Sequence, residues 1–132
     1  MARAVHERHY TLAQASAVRD WVAVRVGRIR EARTTLVDLG ARAGEALSVL
    51  DGERGGTYPG REVARALVDL SLALGELEAV DIVLRDIDRG LIDFPALREG
   101  EEVYLCWLVD DEDEIGFWHP RDAGFAGRQP LP

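Results

Sequence analysis

DIDRGLIDFPALREGEEVYLCWLVDDEDEIGFWHPRDAGFAGRQPLP, residues 86–132, carries most of the chain's aromatic side chains and abandons the helical spacing that governs the residues before it. Just ahead of it and along it, short apolar runs at Ile82 to Leu84, Leu91 to Phe94, Val103 to Val109 and Ile115 to His119 read as strands. The links between them, Asp88-Arg89-Gly90, Arg98-Glu99-Gly100 and Asp110 to Glu114, are short and rich in turn residues, which favours an antiparallel meander. From Val103 to Val109 both alternating faces are largely apolar, so this strand is expected to be central and covered on each side. Pro95 has no N–H to give a ladder and belongs at an edge or a strand end. The tail from Asp122 to Pro132 is glycine-rich and reads as irregular.

Working back toward the N-terminus, the period becomes three and four. Thr11 followed by Gln14 is a capping box that opens a helix. Leu12, Ala15, Val18, Val22, Val26, Ile29, Leu36, Leu39, Ala43, Leu47 and Leu50 then form one helical stripe with a single gap at Arg33. The turn-rich stretch from Asp51 to Gly60 reverses the chain, and Val63, Ala66, Leu67, Leu70, Leu74 and Leu77 mark a second helix from Arg61 to Val80. The expected fold is therefore α+β: a long antiparallel helical hairpin over about 11–80, then a small three- to four-stranded antiparallel sheet over about 81–132, in one domain spanning 1–132.

The two helices differ in length, about 39 residues (roughly 58 Å) against about 20 (roughly 30 Å). Pairing the shorter with the C-terminal half of the longer leaves Val18, Trp21, Val22, Val26 and Ile29 to cover the sheet or a second subunit. A homodimer completing a four-helix bundle would satisfy both stripes.

Composition narrows the function classes. A length of 132 residues with 47% hydrophobic and 30% charged residues is enough for a real core without disulfides. No apolar run approaches a membrane span and the charged opening MARAVHERHY is no signal peptide, so a cytoplasmic protein with no membrane partner is expected. A net charge of −8 argues against nucleic acid. All 16 basic residues are Arg, which leaves no lysine to anchor pyridoxal phosphate. Cys106, flanked by Leu105 and Trp107, reads as a buried filler.

The chain resembles a bacterial family known as domain of unknown function 2203. The residues that carry the likeness are Tyr10-Thr11-Leu12 with Ala15, Arg85-Asp86, Arg89 to Ala96, Glu102 to Trp107, Trp118-His119 and Asp122 to Pro130. The resemblance covers essentially the whole chain and implies the fold without supplying an activity. Typical members have a glycine before the first strand where this chain has Asp81.

Several polar residues stand out as candidates for chemistry. Asp93 lies between apolar neighbours, where a carboxylate needs a cationic partner such as Arg89, Arg98 or Arg128, or else serves as a base or metal ligand. If Asp110 to Glu114 closes a regular hairpin, His119 falls opposite Leu105 on an aromatic-lined face, with Asp122 placed to orient its second ring nitrogen. Asp93, His119 and Asp122 together are candidate catalytic residues and candidate ligands for a divalent metal. Arg128 is a candidate anion clamp, or the partner of Asp93 or Asp122, and Gln129, Trp107 and Trp118 are candidate ligand-binding neighbours. His6 and His9 read as solvated, and the acidic run from Asp110 to Glu114 as a solvated hairpin tip.

Two functions follow from these residues. The favoured one is a non-enzymatic dimeric binding or assembly module whose sheet and tail recognise a small anion or a protein partner. The alternative is a metal-assisted lyase or hydrolase with Asp93 and His119 at its site.

Overall fold

In the computed structural model, residues 3–50 and 60–132 are described, the side chains of 42–50 excepted. The expected turn between the helices lies outside these residues. Thr11 caps α1 (Leu12–Ala17): its hydroxyl accepts from the Gln14 N–H while the Gln14 side chain accepts from the Thr11 N–H, the reciprocal pair that the spacing predicted. The helix does not run straight on. Val18 leaves helical geometry, and α2 (Arg19–Leu50) follows at once, with the Val22 N–H returning to the Val18 carbonyl. The second arm of the hairpin is α3 (Gly60–Ala79), antiparallel to α2 and tied to it by Arg25 with Glu76 at 3.3 Å.

The helical arm ends at Asp81, whose φ of +61° is the left-handed geometry of a helix C-terminal cap. Glycine is the usual residue for that geometry, which explains why relatives would carry one there; Asp is among the few other residues that tolerate it.

Five strands follow rather than three to four: β1 (Val83–Asp86), β2 (Leu91–Arg98), β3 (Glu101–Leu108), β4 (Phe117–Pro120) and β5 (Gln129–Pro130), in the order β1-β2-β3-β4-β5 with every neighbouring pair antiparallel. The added strand is a two-residue piece of the tail that pairs with β4, so the tail is not wholly irregular. A short 3₁₀ turn, Phe125–Gly127, precedes it. β2 runs through Pro95 in mid-strand and is not an edge strand, against the expected edge or strand end. The Pro95 carbonyl accepts from the Tyr10 N–H beyond the end of β1, so the missing N–H faces a side where no ladder bond is required.

The helices pack on one face of the sheet. Val22, Val26 and Ile29 of α2 and Ala73 and Leu77 of α3 share a core with Ile92, Phe94, Ala96, Val103, Leu105 and Trp107. The sheet, among the alternatives expected for the first part of the long stripe, is what covers it. β3 is central and buried on both faces over Val103 to Leu108, as its composition requires. Arg30 of α2 clamps this assembly: its guanidinium donates to the Ile87 and Asp88 carbonyls and pairs with Asp110 at 2.7 Å. Gly90 beneath it has a φ of +65°, a conformation that other side chains rarely adopt, and an added Cβ would also press on Val109 at 3.2 Å.

No helix among the described residues is long and apolar enough to cross a membrane.

Candidate functional site

The outer face of the sheet, away from the helices, carries the polar residues. Asp93 of β2 sits opposite Cys106 of β3, and His119 of β4 opposite Tyr104. The register differs by one residue from a regular hairpin, which would have put His119 opposite Leu105. The cause is the β3–β4 connection. Glu112 folds back so that its carboxylate accepts from the Leu108 N–H and its carbonyl from Trp107 Nε1. A one-residue shift sends every side chain of β4 to the other face. His119 thereby leaves the aromatic core and meets Asp93.

Asp93 and His119 are each 2% exposed and Cys106 is fully buried. His119 Nε2 lies 3.0 Å from both Asp93 oxygens, and Arg85 Nε donates to Oδ2 at 2.9 Å. Arg85, rather than Arg89, Arg98 or Arg128, is thus the cationic partner. It sits where the β1–β2 register shifts, between Leu84 and Asp86, and such irregularities re-aim a side chain. Its guanidinium also stacks on Tyr104, 4.8 Å from the ring centre.

His119 Nδ1 is 2.8 Å from the Pro120 carbonyl, which can only accept, so this nitrogen carries a hydrogen. Asp122 does not orient the ring: it lies exposed in the turn after β4, beside Arg121 and Glu102. Cys106 instead joins Asp93 and His119, their donor atoms lying within 4.8 Å of one another. The trio is not a nucleophilic triad, because one ring nitrogen serves Pro120 and the other serves Asp93, leaving none to take a thiol proton. Burial, reinforced by the Asp93 charge, pushes the Cys106 thiol up to about 11, which suppresses thiolate chemistry.

Arg128 pairs with neither Asp93 nor Asp122. Its guanidinium makes a fork with Glu112, at 3.2 and 2.9 Å, and is sandwiched between Phe117 and Phe125 at 3.9 and 4.3 Å from the ring centres. The tail is thereby locked onto the outer face, and the guanidinium is occupied. Of the other candidate neighbours, Trp107 is core, Trp118 is half-buried beneath Arg98, and Gln129 is exposed on β5.

A second polar centre was not legible in the sequence. Glu102, with a side chain 3% exposed, accepts from the Val5 and His6 backbone N–H groups and contacts His9 and Arg121. Burial alone would raise its carboxyl; the Val5 N–H, Arg121, the His6 N–H and His9 outweigh it and bring the pKa down to about 2. His6 bridges Asp81, at 3.2 Å, and the Tyr104 hydroxyl, at 2.8 Å. His6 and His9 are therefore pins for the N-terminal segment rather than solvated side chains. The acidic connection is likewise not simply solvated, since Asp110 and Glu112 hold Arg30 and Arg128.

The helical hairpin presents a different surface. α3 buries Ala66, Ala73 and Leu77 toward α2, yet Leu67, Val68, Leu72 and Leu74 are 51%, 63%, 62% and 39% exposed. A groove of about 480 Å³ runs between α2 and α3 beside Leu72, lined by Arg28 and Arg65 together with Glu31, Glu62, Asp69 and Glu76.

Fold and site together define an α+β chain in which a helical hairpin covers one face of a five-stranded antiparallel meander and the other face buries a carboxylate, an imidazole and a thiol. The chain belongs to the family of uncharacterized conserved proteins designated DUF2203, whose model matches residues 8–131. No curated protein and no solved structure matches it.

Proposed function

We propose that the protein is a homodimeric assembly module that pairs through its helical hairpin. The observation that carries this reading is the outward face of α3. An amphipathic helix on a finished surface is polar on the side away from its core. Here Val68 and Leu72, one turn apart and both more than 60% exposed, lie on that side.

The occupant argued for is a second copy. The groove beside Leu72 carries both signs of charge, Arg28 and Arg65 against Glu31, Glu62, Asp69 and Glu76, so a twofold axis can set each copy's cations against its partner's anions. Covering Val68 and Leu72 in both copies supplies roughly 1 kcal/mol for each of these four side chains. That sum is comparable to the cost of association, about 4–15 kcal/mol, so the groove contacts decide the affinity. The resulting four-helix arrangement leaves the sheet and tail outside the interface. The Arg128 guanidinium is already occupied, so it is the helices, not the tail, that this reading assigns to partner recognition.

Sedimentation equilibrium at micromolar concentration tests the reading. A dimer that dissociates on Leu72→Glu supports it, and a clean monomer overturns it.

A further inference from the structure

We infer that Asp93, Cys106 and His119 form a binding site for a divalent transition metal of the zinc type. This inference stands on the sheet alone and does not depend on how the helices associate.

The donor set comes from three neighbouring strands, β2, β3 and β4, and is almost completely shielded from water. Sulfur, imidazole nitrogen and carboxylate oxygen are the three donor types that zinc takes from proteins, and thiolate disfavours the harder calcium and magnesium. The sequence pointed to an all-oxygen-and-nitrogen set with Asp122; in the fold Cys106, opposite Asp93, stands in the set instead and makes it softer.

The imidazole is oriented as a ligand would be. With its hydrogen on Nδ1 held by the Pro120 carbonyl, the Nε2 lone pair is directed between the two Asp93 oxygens, 3.0 Å from each. A neutral ring in this position sets a lone pair against a carboxylate, so a cation must stand between them, either a proton or a metal ion. The backbone carbonyl on the far nitrogen is the outer-shell partner common to metal-bound histidines. Two further contacts of that kind are in place, Arg85 Nε on Asp93 Oδ2 and Arg128 Nη1 at 3.9 Å from Cys106 Sγ.

Metal binding would displace the Cys106 thiol proton and the proton between Nε2 and the carboxylate, both released to solvent. With thiolate and carboxylate as ligands, the two negative charges balance the dication. A route inward passes Arg85, whose side chain is 43% exposed.

The test uses the full chain purified without chelator, with elemental analysis of the metal and then replacement by cobalt(II). The expected result is near-stoichiometric zinc, and a thiolate-to-cobalt charge-transfer band that is absent from a folded Cys106→Ser variant. The His119→Ala variant should lose the metal altogether. Folding of each variant is checked by circular dichroism, and the wild-type result decides if a variant does not fold. A folded wild-type chain that neither carries zinc nor develops the cobalt band overturns the inference, leaving a proton between His119 and Asp93. Metal retained equally by folded Cys106→Ser and His119→Ala overturns it too, since the ion then sits elsewhere.

Discussion

The two outward surfaces of this molecule are built on opposite principles. The outer face of the sheet is closed: Asp93, His119 and Glu102 all have partners, the small apolar cluster of Leu91, Cys106 and Leu108 is covered by Phe117 and Phe125, and Arg128 fastens the tail over Phe117. The outward face of α3 is apolar and open, with Val68 and Leu72 largely exposed. Polar groups removed from water must be satisfied within the chain or they cost stability, so the sheet face finishes itself during folding. Apolar side chains carry no such local demand. They can remain exposed in the single chain and be covered later by another, which is why the second surface is the one that points outside the molecule.

The contrast is sharpest at Asp93. Asp93→Ala leaves His119 Nε2 and Arg85 Nε without the carboxylate that both contact and, at about 1.5–3 kcal/mol for each bond to a charged acceptor, is expected to cost about 3–5 kcal/mol, a large share of a domain's stability. Urea denaturation would measure it. The matching change on the helix, Val68→Ser, is expected to leave the stability of the isolated chain within about 0.5 kcal/mol. Similar losses from both would break the comparison.

Glu102 supplies a test by pH. Its folded carboxyl sits at about 2 against a usual 4.5, so its contribution to stability is full above 4.5 and is lost as the pH falls through about 2. Glu102→Gln is expected to cost about 1.5–3 kcal/mol at neutral pH. It should also flatten the loss of stability between pH 4.5 and 2, followed by thermal melts across that range. An unchanged acid profile would mean that the N-terminal segment is held by other contacts.

A small gain in stability is expected in the β2–β3 turn, where Glu99 and Gly100 have φ of +53° and +81°. Two-residue turns of this kind prefer Asn-Gly, and a glutamate is strained in the first position. Glu99→Asn should stabilise the chain by about 0.5–1 kcal/mol in the same denaturation assay, leaving both outward surfaces unchanged.

Much of the fold was legible because it rests on local rules. The Thr11 and Gln14 cap, the stripe of Val22, Val26 and Ile29, and the doubly apolar β3 each follow from a few residues read in order. The tail strand was not, because two residues, one of them Pro130, carry no period. The site was half legible. Asp93 and His119 could be singled out by their apolar surroundings, but their meeting depends on the path of the 109–116 connection. Glu112 sets that path through bonds to Leu108 and Trp107, and no spacing rule encodes it. The same slip set His119 beside Cys106, which already faces Asp93 across β2 and β3, while Asp122 lies exposed in the turn beyond β4. Arg85 was missed as the partner of Asp93 because it occupies an irregular position in β1, where simple alternation fails.

The central claim is that the outward face of α3 is completed by a second copy of the chain. Sedimentation equilibrium of the wild type beside Leu72→Glu tests it most directly. A charge at this position is desolvated in both halves of a symmetric interface, so the account predicts a wild-type dimer and a dissociation constant at least roughly a hundredfold weaker in the variant. A wild type that stays monomeric, or a Leu72→Glu variant that dimerises as tightly as the wild type, would contradict it.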